Sequence, residues 1–234
     1  FKVFSEPAND KNSRIAALIV PEGEKIGRGQ IDRYTDFVKE FGAKGLAYIK
    51  VDGESIADLS SPILKYLSEE CLKNILTALK VNKGDLIFFG AGKEKIVNDY
   101  MSRLIAKIGM DLNLLKDGFE ACWITDFPMF EETSDGSLTS LHHPFTCPVE
   151  TELKKLEKLS PLEINSKAYD MVINGVEIGG GSIRIHKKAL QEKVFELLGL
   201  SEDEAQKKFG FFLKTLTTGC PPHGGIAFGL DRLA

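Results

Sequence analysis

The dipeptide Asn174-Gly175, set between two valine- and isoleucine-rich segments, constrains the fold of this chain more than any other feature. Asn-Gly between apolar segments is the strongest short-range signal for a β-hairpin with a two-residue turn. We therefore predict that residues 168–173 and 176–185 form two antiparallel strands. In this register the residues that flank the turn face each other, and the pairing continues outward one residue at a time.

The two faces of the predicted hairpin differ in chemistry. Four apolar residues share the face that we expect to join the core: Met171, Ile173, Val176 and Ile178. On the other face, Asp170 and Glu177 are diagonal neighbours whose Cβ atoms should lie roughly 7 Å apart. Two such carboxylates can converge on a hard divalent cation such as Mg²⁺, with phosphate oxygens and waters completing its shell. A solvated surface is the alternative, and for Asp170 alone it is the better interpretation.

The second strand contains a change in its apolar alternation. Its core residues are even-numbered up to Ile178 and odd-numbered at Ile183 and Ile185, so an odd number of residues must bulge out between them. Gly179-Gly180-Gly181 is the predicted place, because glycine tolerates the backbone angles of a bulge. The change brings Arg184 to the face of the acid pair. This arrangement predicts a site for a ligand with both phosphate and carboxylate groups, although a glycine kink that only bends an edge strand is the alternative.

A strand predicted near the C-terminal end presents one almost flat face. Ile226 and Phe228 point one way, whereas Gly225, Ala227 and Gly229 leave the other face without large side chains. A planar base or a sugar could lie against such a surface. Arg232 follows in the first turn of a predicted helix, where its guanidinium could stack on a base or hold a phosphate. Close packing of a helix on the strand is the alternative.

Two adjacent histidines, His142 and His143, stand before Pro144. A neutral imidazole can donate or accept a hydrogen bond near pH 7. Adjacent residues of a strand point to opposite faces, which argues against a metal ion shared by the two rings. A structural role for each histidine is the alternative.

The hydrophobic pattern divides the chain into two predicted units, residues 1–118 and 119–234. Helices alternate with short strands in the first unit, which indicates an α/β or α+β domain. Besides the hairpin, the predicted strands are residues 1–4, 15–20, 45–51, 86–89, 119–127 and 224–228. The predicted helices are residues 30–41, 62–79, 94–108, 190–198 and 201–216, the last beginning with a capping box of Ser201 and Glu204.

Composition and charge restrict the classes of function. The net charge of −4 over 234 residues gives no overall basic footprint, so contact with nucleic acid would rest on local patches. No apolar run approaches the roughly 20 residues of a membrane helix. The four cysteines are widely spaced, which predicts free thiols in a reducing compartment, the cytoplasm. Both ends interrupt predicted elements, and we expect the chain to be part of a longer protein.

Four blocks of the second unit resemble the C-terminal half of the catalytic domain in class II aminoacyl-tRNA synthetases, specifically the bacterial-type aspartyl-tRNA synthetases. The blocks are residues 126–130, 142–146, 168–186 and 221–232, and the last is similar to class II motif 3. Residues 1–118 resemble the GAD domain inserted in these enzymes, most clearly at residues 42–51. The resemblance implies an α+β fold: a GAD-type α/β insertion domain, followed by part of an antiparallel sheet flanked by helices.

The resemblance also implies a role for each matching residue. Glu177 would bind ATP through Mg²⁺ with help from Asp170, and His142 and Arg184 would hold the L-aspartate substrate. The other residues implied to line the ATP site are Gly229, Leu230, Asp231 and Arg232. The α-carboxylate of aspartate would attack the α-phosphate of ATP, and aspartate would pass to the 3′ end of tRNA-Asp. No side chain would act as a nucleophile, because this chemistry depends on positioning and charge neutralisation.

Parts of the family pattern do not occur in this sequence. Motif 1, which builds the homodimer of the full-length enzymes, motif 2 and the anticodon-binding OB domain all precede the GAD insertion in that family. We therefore expect the chain alone to lack aminoacylation activity and to bind ATP at most weakly. Whether tRNA-Asn is a second substrate is left open. A non-catalytic tRNA-binding or regulatory module that contains a GAD domain is the alternative, although the acid pair with Arg184 and Arg232 argues against it.

Overall fold

The computed structural model describes residues 2–53 and 55–234. The chain divides into two units, with the boundary in sequence between Lys116 and Asp117. The helices of the first unit are α1 (Lys2–Ala8), α2 (Arg28–Lys39), α3 (Glu69–Leu79) and α4 (Glu94–Asp111). Its strands are β1 (Ser13–Val20), β2 (Ala47–Val51), β3 (Leu59–Ser60) and β4 (Leu86–Lys93). The strands form one antiparallel sheet in the order β1-β4-β2-β3.

The buried start of β4 explains how this sheet is covered on both faces. Leu86 and Phe88 point into a core formed with α2 and α4, whereas Ile87 and Phe89 point into a second core that includes α3. A strand buried on both faces reads as a continuous apolar run, which is the sequence pattern found here. The first unit is therefore a sheet between two layers of helices.

Two predictions for the first unit are wrong. Residues 1–4 were expected as a strand, but the chain from Lys2 is helical, and the ring of Phe4 packs edge-on against Phe89 at 6.0 Å. Tertiary packing has here overridden local β-propensity, and residue 1 itself lies outside the described residues. The helix expected over residues 62–79 is a short 3₁₀ turn followed by α3, because the Ser68 hydroxyl accepts the Cys71 N–H and starts a new helix there.

The second unit is built on a four-stranded antiparallel sheet. The strands of the second unit are β5 (Ala121–Ile124), β6 (Phe130–Glu132), β7 (Leu138–Ser140), β8 (Ala168–Ile173), β9 (Val176–Ile183) and β10 (Gly224–Phe228). Its helices are α5 (Leu153–Leu156), α6 (Lys188–Leu197), α7 (Glu202–Thr217) and α8 (Leu230–Leu233). The main sheet has the order β10-β9-β8-β5, and β6 and β7 form a separate hairpin. The predicted capping box is confirmed, since Ser201 and Glu204 exchange hydrogen bonds at the start of α7.

The predicted hairpin is confirmed, and its turn is of type I′. Both turn residues have positive φ, 50° at Asn174 and 79° at Gly175. The Asn174 side chain accepts the Glu120 N–H and donates to the Gly118 carbonyl, which ties the turn to the start of β5. β5 is shorter than the strand predicted over residues 119–127, because the chain turns at Asp126 with a φ of 60°.

The predicted β-bulge is present, but it lies at Ile178 rather than within the three glycines. Val172 pairs with Glu177 whereas Met171 pairs with Gly179, so Ile178 is the extra residue. The carbonyl of Ile178 accepts the Gly229 N–H at 2.9 Å, which satisfies the group that the bulge removes from the ladder. The predicted effect of the bulge on the alternation of side chains is confirmed. Asp170 pairs with Gly180, so the face that carries Asp170 continues along β9 towards Arg184.

The face expected to join the core is only partly buried, with Met171 and Ile173 half-buried. Val176 is 53% exposed and Ile183 is 39% exposed, although Ile178 and Ile185 are buried as predicted. Trp123, Ile226 and Phe228 lie on the same exposed face. The prediction fails because, within the described residues, α6 and α7 pack against each other and against Phe145 instead of across this face.

Candidate functional site

Asp170 and Glu177 converge above Gly180 on the opposite face of the sheet. A Cβ atom placed on Gly180 would overlap Oδ1 of Asp170 and would lie 3.7 Å from Oε1 of Glu177. The two carboxylates therefore reach the same small volume above β9. Only a residue without a side chain leaves that volume open, which gives the middle glycine a reason beyond backbone flexibility.

The carboxylate pair is electrostatically strained. Burial of Asp170 raises the pKa of its carboxyl group, and the nearby charge of Glu177 raises this pKa further. The charge of His142 acts in the opposite direction on the same pKa. A positive ligand bound between the carboxylates would relieve the strain.

The two carboxylates are suited to a hard cation that also binds water or phosphate oxygens. Within residues 2–53 and 55–234, no group of three or more His, Cys, Asp or Glu side chains could hold a metal ion. Two carboxylates without imidazole or thiolate partners suit Mg²⁺, which retains waters and substrate phosphate oxygens when bound to protein. Asp170 and Glu177 would hold the cation, and it would neutralise phosphate charge there.

Replacing Asp170 with asparagine should raise the unfolding temperature at pH 7. The pKa of Asp170 is higher in the folded chain than its ordinary value of 3.8, so the folded state favours the protonated carboxyl. Stability is therefore lost as the pH rises from about 3.8 through the folded-state pKa. Asp170→Asn removes this loss, and its advantage should disappear at pH 3.5 and shrink when MgCl₂ is added at pH 7.

Asp135→Asn is the matched control for this experiment. Hydrogen bonds from Thr133 and Ser137 lower the pKa of Asp135 to about 2, so loss of its charge should destabilise the chain at pH 7. Thermal unfolding followed by circular dichroism measures both variants. A lower unfolding temperature for Asp170→Asn at pH 7 would contradict the strained carboxylate pair.

Arg184 follows β9 and is half-buried on the same face. Its backbone is held on both sides, since its N–H donates to the His223 carbonyl and Thr146 forms a bridge with it. The guanidinium extends beside Gly225, whose added Cβ would lie 4.0 Å from Nη2. Nη1 lies 3.1 Å from Nδ1 of His143. Among the described residues, no carboxylate forms an ion pair with Arg184.

The two histidines have separate places. The exposed ring of His142 packs edge-on against Phe127, with ring centroids 4.8 Å apart. His143, for which the sequence predicted no role, contacts Arg184 instead. This contact could not be predicted because it depends on pairing between distant segments. The Cys147 N–H donates to the Ile183 carbonyl, which brings residues 142–147 beside β9.

Residues 229–232 lie at the Glu177 end of this face. Arg232 Nη1 donates to the backbone carbonyl of Glu177 at 2.7 Å and lies 3.7 Å from its Oε2. Leu230 is largely exposed, and Asp231 is also exposed. The flat surface predicted on β10 is confirmed by its register: Gly225 and Ala227 lie opposite Ser182 and Gly180, on the face of Asp170.

The arrangement separates two kinds of charge along one glycine-rich surface. The carboxylate pair lies above Gly180. The Cα atom of Arg184 is roughly 13 Å further along the extended chain, and its guanidinium lies beside Gly225. A cation with phosphate groups suits the acidic end, and a carboxylate suits the arginine. The Ser182 hydroxyl lies between them, but it is buried beside Thr146 and His143. The surface is therefore suited to positioning two reactants.

Comparison with known families identifies the chain at the family level. A family model described as tRNA synthetases class II (D, K and N) matches residues 32–234. The chain therefore belongs to the class II tRNA synthetases of this group, a family of aminoacyl-tRNA ligases. The letters stand for aspartate, lysine and asparagine.

Two solved structures are similar to parts of the chain. One is an aspartyl tRNA synthetase from Entamoeba histolytica, with 21% identity and a TM-score of 0.36 over 58% of this chain and 22% of that protein. The other is a protein assigned as an aspartyl-tRNA synthetase from Leishmania major Friedlin, with 21% identity and a TM-score of 0.36 over 56% of this chain and 20% of that protein. The chain thus spans about a fifth of each, and the family match carries the assignment.

No helix among the described residues has the length and apolar character that a membrane span requires.

Proposed function

We propose that the complete gene product is an aspartate–tRNA ligase, which activates L-aspartate with ATP and transfers it to tRNA-Asp. The observation that carries this proposal is the half-buried guanidinium of Arg184, which has no carboxylate partner within the described part of the chain. A cation left unpaired in such a place favours an anionic ligand. Among the three amino acids of the family, only aspartate has an anionic side chain.

The direction of the substrate follows from the reaction. Activation joins the α-carboxylate to the α-phosphate of ATP, so the α-carboxylate must lie towards the phosphate end of the surface. The carboxylate pair above Gly180 is suited to that end through Mg²⁺, which neutralises phosphate charge when it is bound. The side chain of the amino acid then extends towards Arg184. A lysine side chain would meet repulsion there, and an asparagine amide lacks the charge of the matching carboxylate.

The remaining residues complete the proposed site. Glu177 and Asp170 would hold the cation that accompanies ATP, and residues 229–232 would contact the nucleotide, with the Arg232 guanidinium at the base or a phosphate. His142 contacts the amino acid. The chain contributes orientation and charge neutralisation, and no covalent intermediate with the protein is needed.

Several finer features belong to the same proposal. The first unit is a GAD-type insertion domain, the enzyme is of the bacterial type, and the complete gene product acts as a homodimer. Support comes from the family resemblance of the sequence blocks described above. Use of tRNA-Asn as a second substrate is left open.

Amino-acid-dependent exchange between ATP and pyrophosphate tests the reaction itself. The complete gene product should catalyse exchange with L-aspartate, and exchange with L-lysine or L-asparagine should be at least about a hundredfold slower at equal concentration, a ratio that corresponds to nearly 3 kcal/mol. A protein that favours L-lysine or L-asparagine would remain in the family but would contradict the proposed substrate. Binding of tRNA without any exchange would indicate a non-catalytic module.

A further inference from the structure

His143 makes contacts that determine its tautomer. Its Nδ1 lies 3.2 Å from the backbone N of Phe145 and 3.1 Å from Nη1 of Arg184. A backbone N–H and a guanidinium can only donate, so Nδ1 must accept and cannot carry a proton. The neutral ring therefore carries its proton on Nε2, which lies 3.5 Å from the hydroxyl oxygen of Ser182.

The surroundings of the ring keep this state. Burial lowers the pKa of His143, and the nearby charges of Arg184 and His142 lower it further. Thr146 and Ser182, whose hydroxyls lie near Nδ1 and Nε2 of the ring respectively, are both buried. The imidazole is thus a neutral acceptor fixed between β9 and the segment that contains Phe145.

We propose that His143 is a positioning residue that holds the Arg184 guanidinium in the orientation required by an anionic ligand. The inference rests on the proposed function for the identity of that ligand, a carboxylate of the amino-acid substrate. Arg184 has five N–H donors, and one directed at His143 leaves the others for a fork-like contact with a carboxylate. A fixed fork binds more tightly than a mobile one, because less side-chain freedom is lost on binding.

Position-matched variants separate this role from a packing role. The side-chain oxygen of asparagine is bonded to Cγ, as Nδ1 of histidine is, so His143→Asn keeps an acceptor near the guanidinium. His143→Leu keeps a similar volume without an acceptor. We expect calorimetric titration of the chain to show about tenfold weaker L-aspartate binding for His143→Leu, with most of the affinity restored in His143→Asn. Equal losses in both variants, or no loss in His143→Leu, would overturn the proposal.

A nuclear magnetic resonance experiment tests positioning without any ligand. The ¹⁵N shifts of His143 should show a proton on Nε2 and none on Nδ1. Relaxation of the Arg184 Nε–H group should report a rigid side chain in the wild-type chain and in His143→Asn, but a mobile one in His143→Leu. An Arg184 side chain that is equally mobile in all three would exclude the role of His143. Rigid positioning with no preference for L-aspartate would instead contradict the proposed substrate alone.

Discussion

Gly181→Ala will separate β10 from β9 and lower the free energy of unfolding of the second unit by about 3 kcal/mol. A Cβ atom on Gly181 would overlap the backbone carbonyl oxygen of Gly225 on the adjacent strand, and the next nearest atoms are also backbone. A flexible side chain can rotate away from such an overlap, but a strand backbone cannot move without breaking its ladder. The loss should therefore be large for the addition of a single methyl group.

Gly225→Ala is the control, because this glycine belongs to the same pair of strands. An added Cβ there would approach only Nη2 of Arg184, at 4.0 Å, which is ordinary contact. Denaturant unfolding measures both free energies, and hydrogen exchange at residues 224–228 reports whether β10 is still paired. Equal stability of Gly181→Ala and Gly225→Ala would show that the two strands are not packed as closely as described.

Arg184→Gln should weaken the binding of L-aspartate by about a hundredfold. Removing one partner of a desolvated, hydrogen-bonded charge pair typically costs 2–5 kcal/mol, and about 2.7 kcal/mol corresponds to this factor. The free energy of unfolding should change little, because within the described residues no carboxylate is paired with Arg184 and none would be left unpaired. Arg184→Lys should recover only part of the affinity, since lysine keeps the charge but lacks the planar fork.

Lys187→Gln is the control for the change in charge. Lys187 is exposed and only three residues from Arg184, so this variant removes the same charge nearby. Solvent and salt screen an exposed charge, and the affinity should change little. Calorimetric titration of the chain with L-aspartate measures all four proteins. A comparable loss in Arg184→Gln and Lys187→Gln would indicate a general electrostatic effect without a specific contact.

The hairpin and its charged face could be predicted because they depend on local rules. Asn174-Gly175 determines the turn and the register, and strict alternation then determines the face of every residue up to the bulge. The bulge itself was displaced by one residue. Its position depends on Gly229, which donates to the Ile178 carbonyl from beyond β10, and no local pattern contains that contact.

Two features of the second unit could not be predicted from the sequence. Val176 and Ile183 have the alternation of a core strand, but whether a layer covers that face depends on where α6 and α7 pack. His143 was missed for a related reason. Its partner is 41 residues away in sequence, and only the pairing of residues 145–147 with 183–185 brings the ring to Arg184.

Comparing L-aspartate with L-asparagine, in the wild-type chain and in Arg184→Gln, tests most directly whether this surface recognises a side-chain carboxylate. The two amino acids differ only in that group, so the ratio of their Kd values isolates its contact with the protein. We expect the wild-type chain to bind L-aspartate at least about tenfold more tightly and the Arg184→Gln variant to bind both about equally. The same ratio of Kd values in both proteins would contradict recognition of the side-chain carboxylate by Arg184.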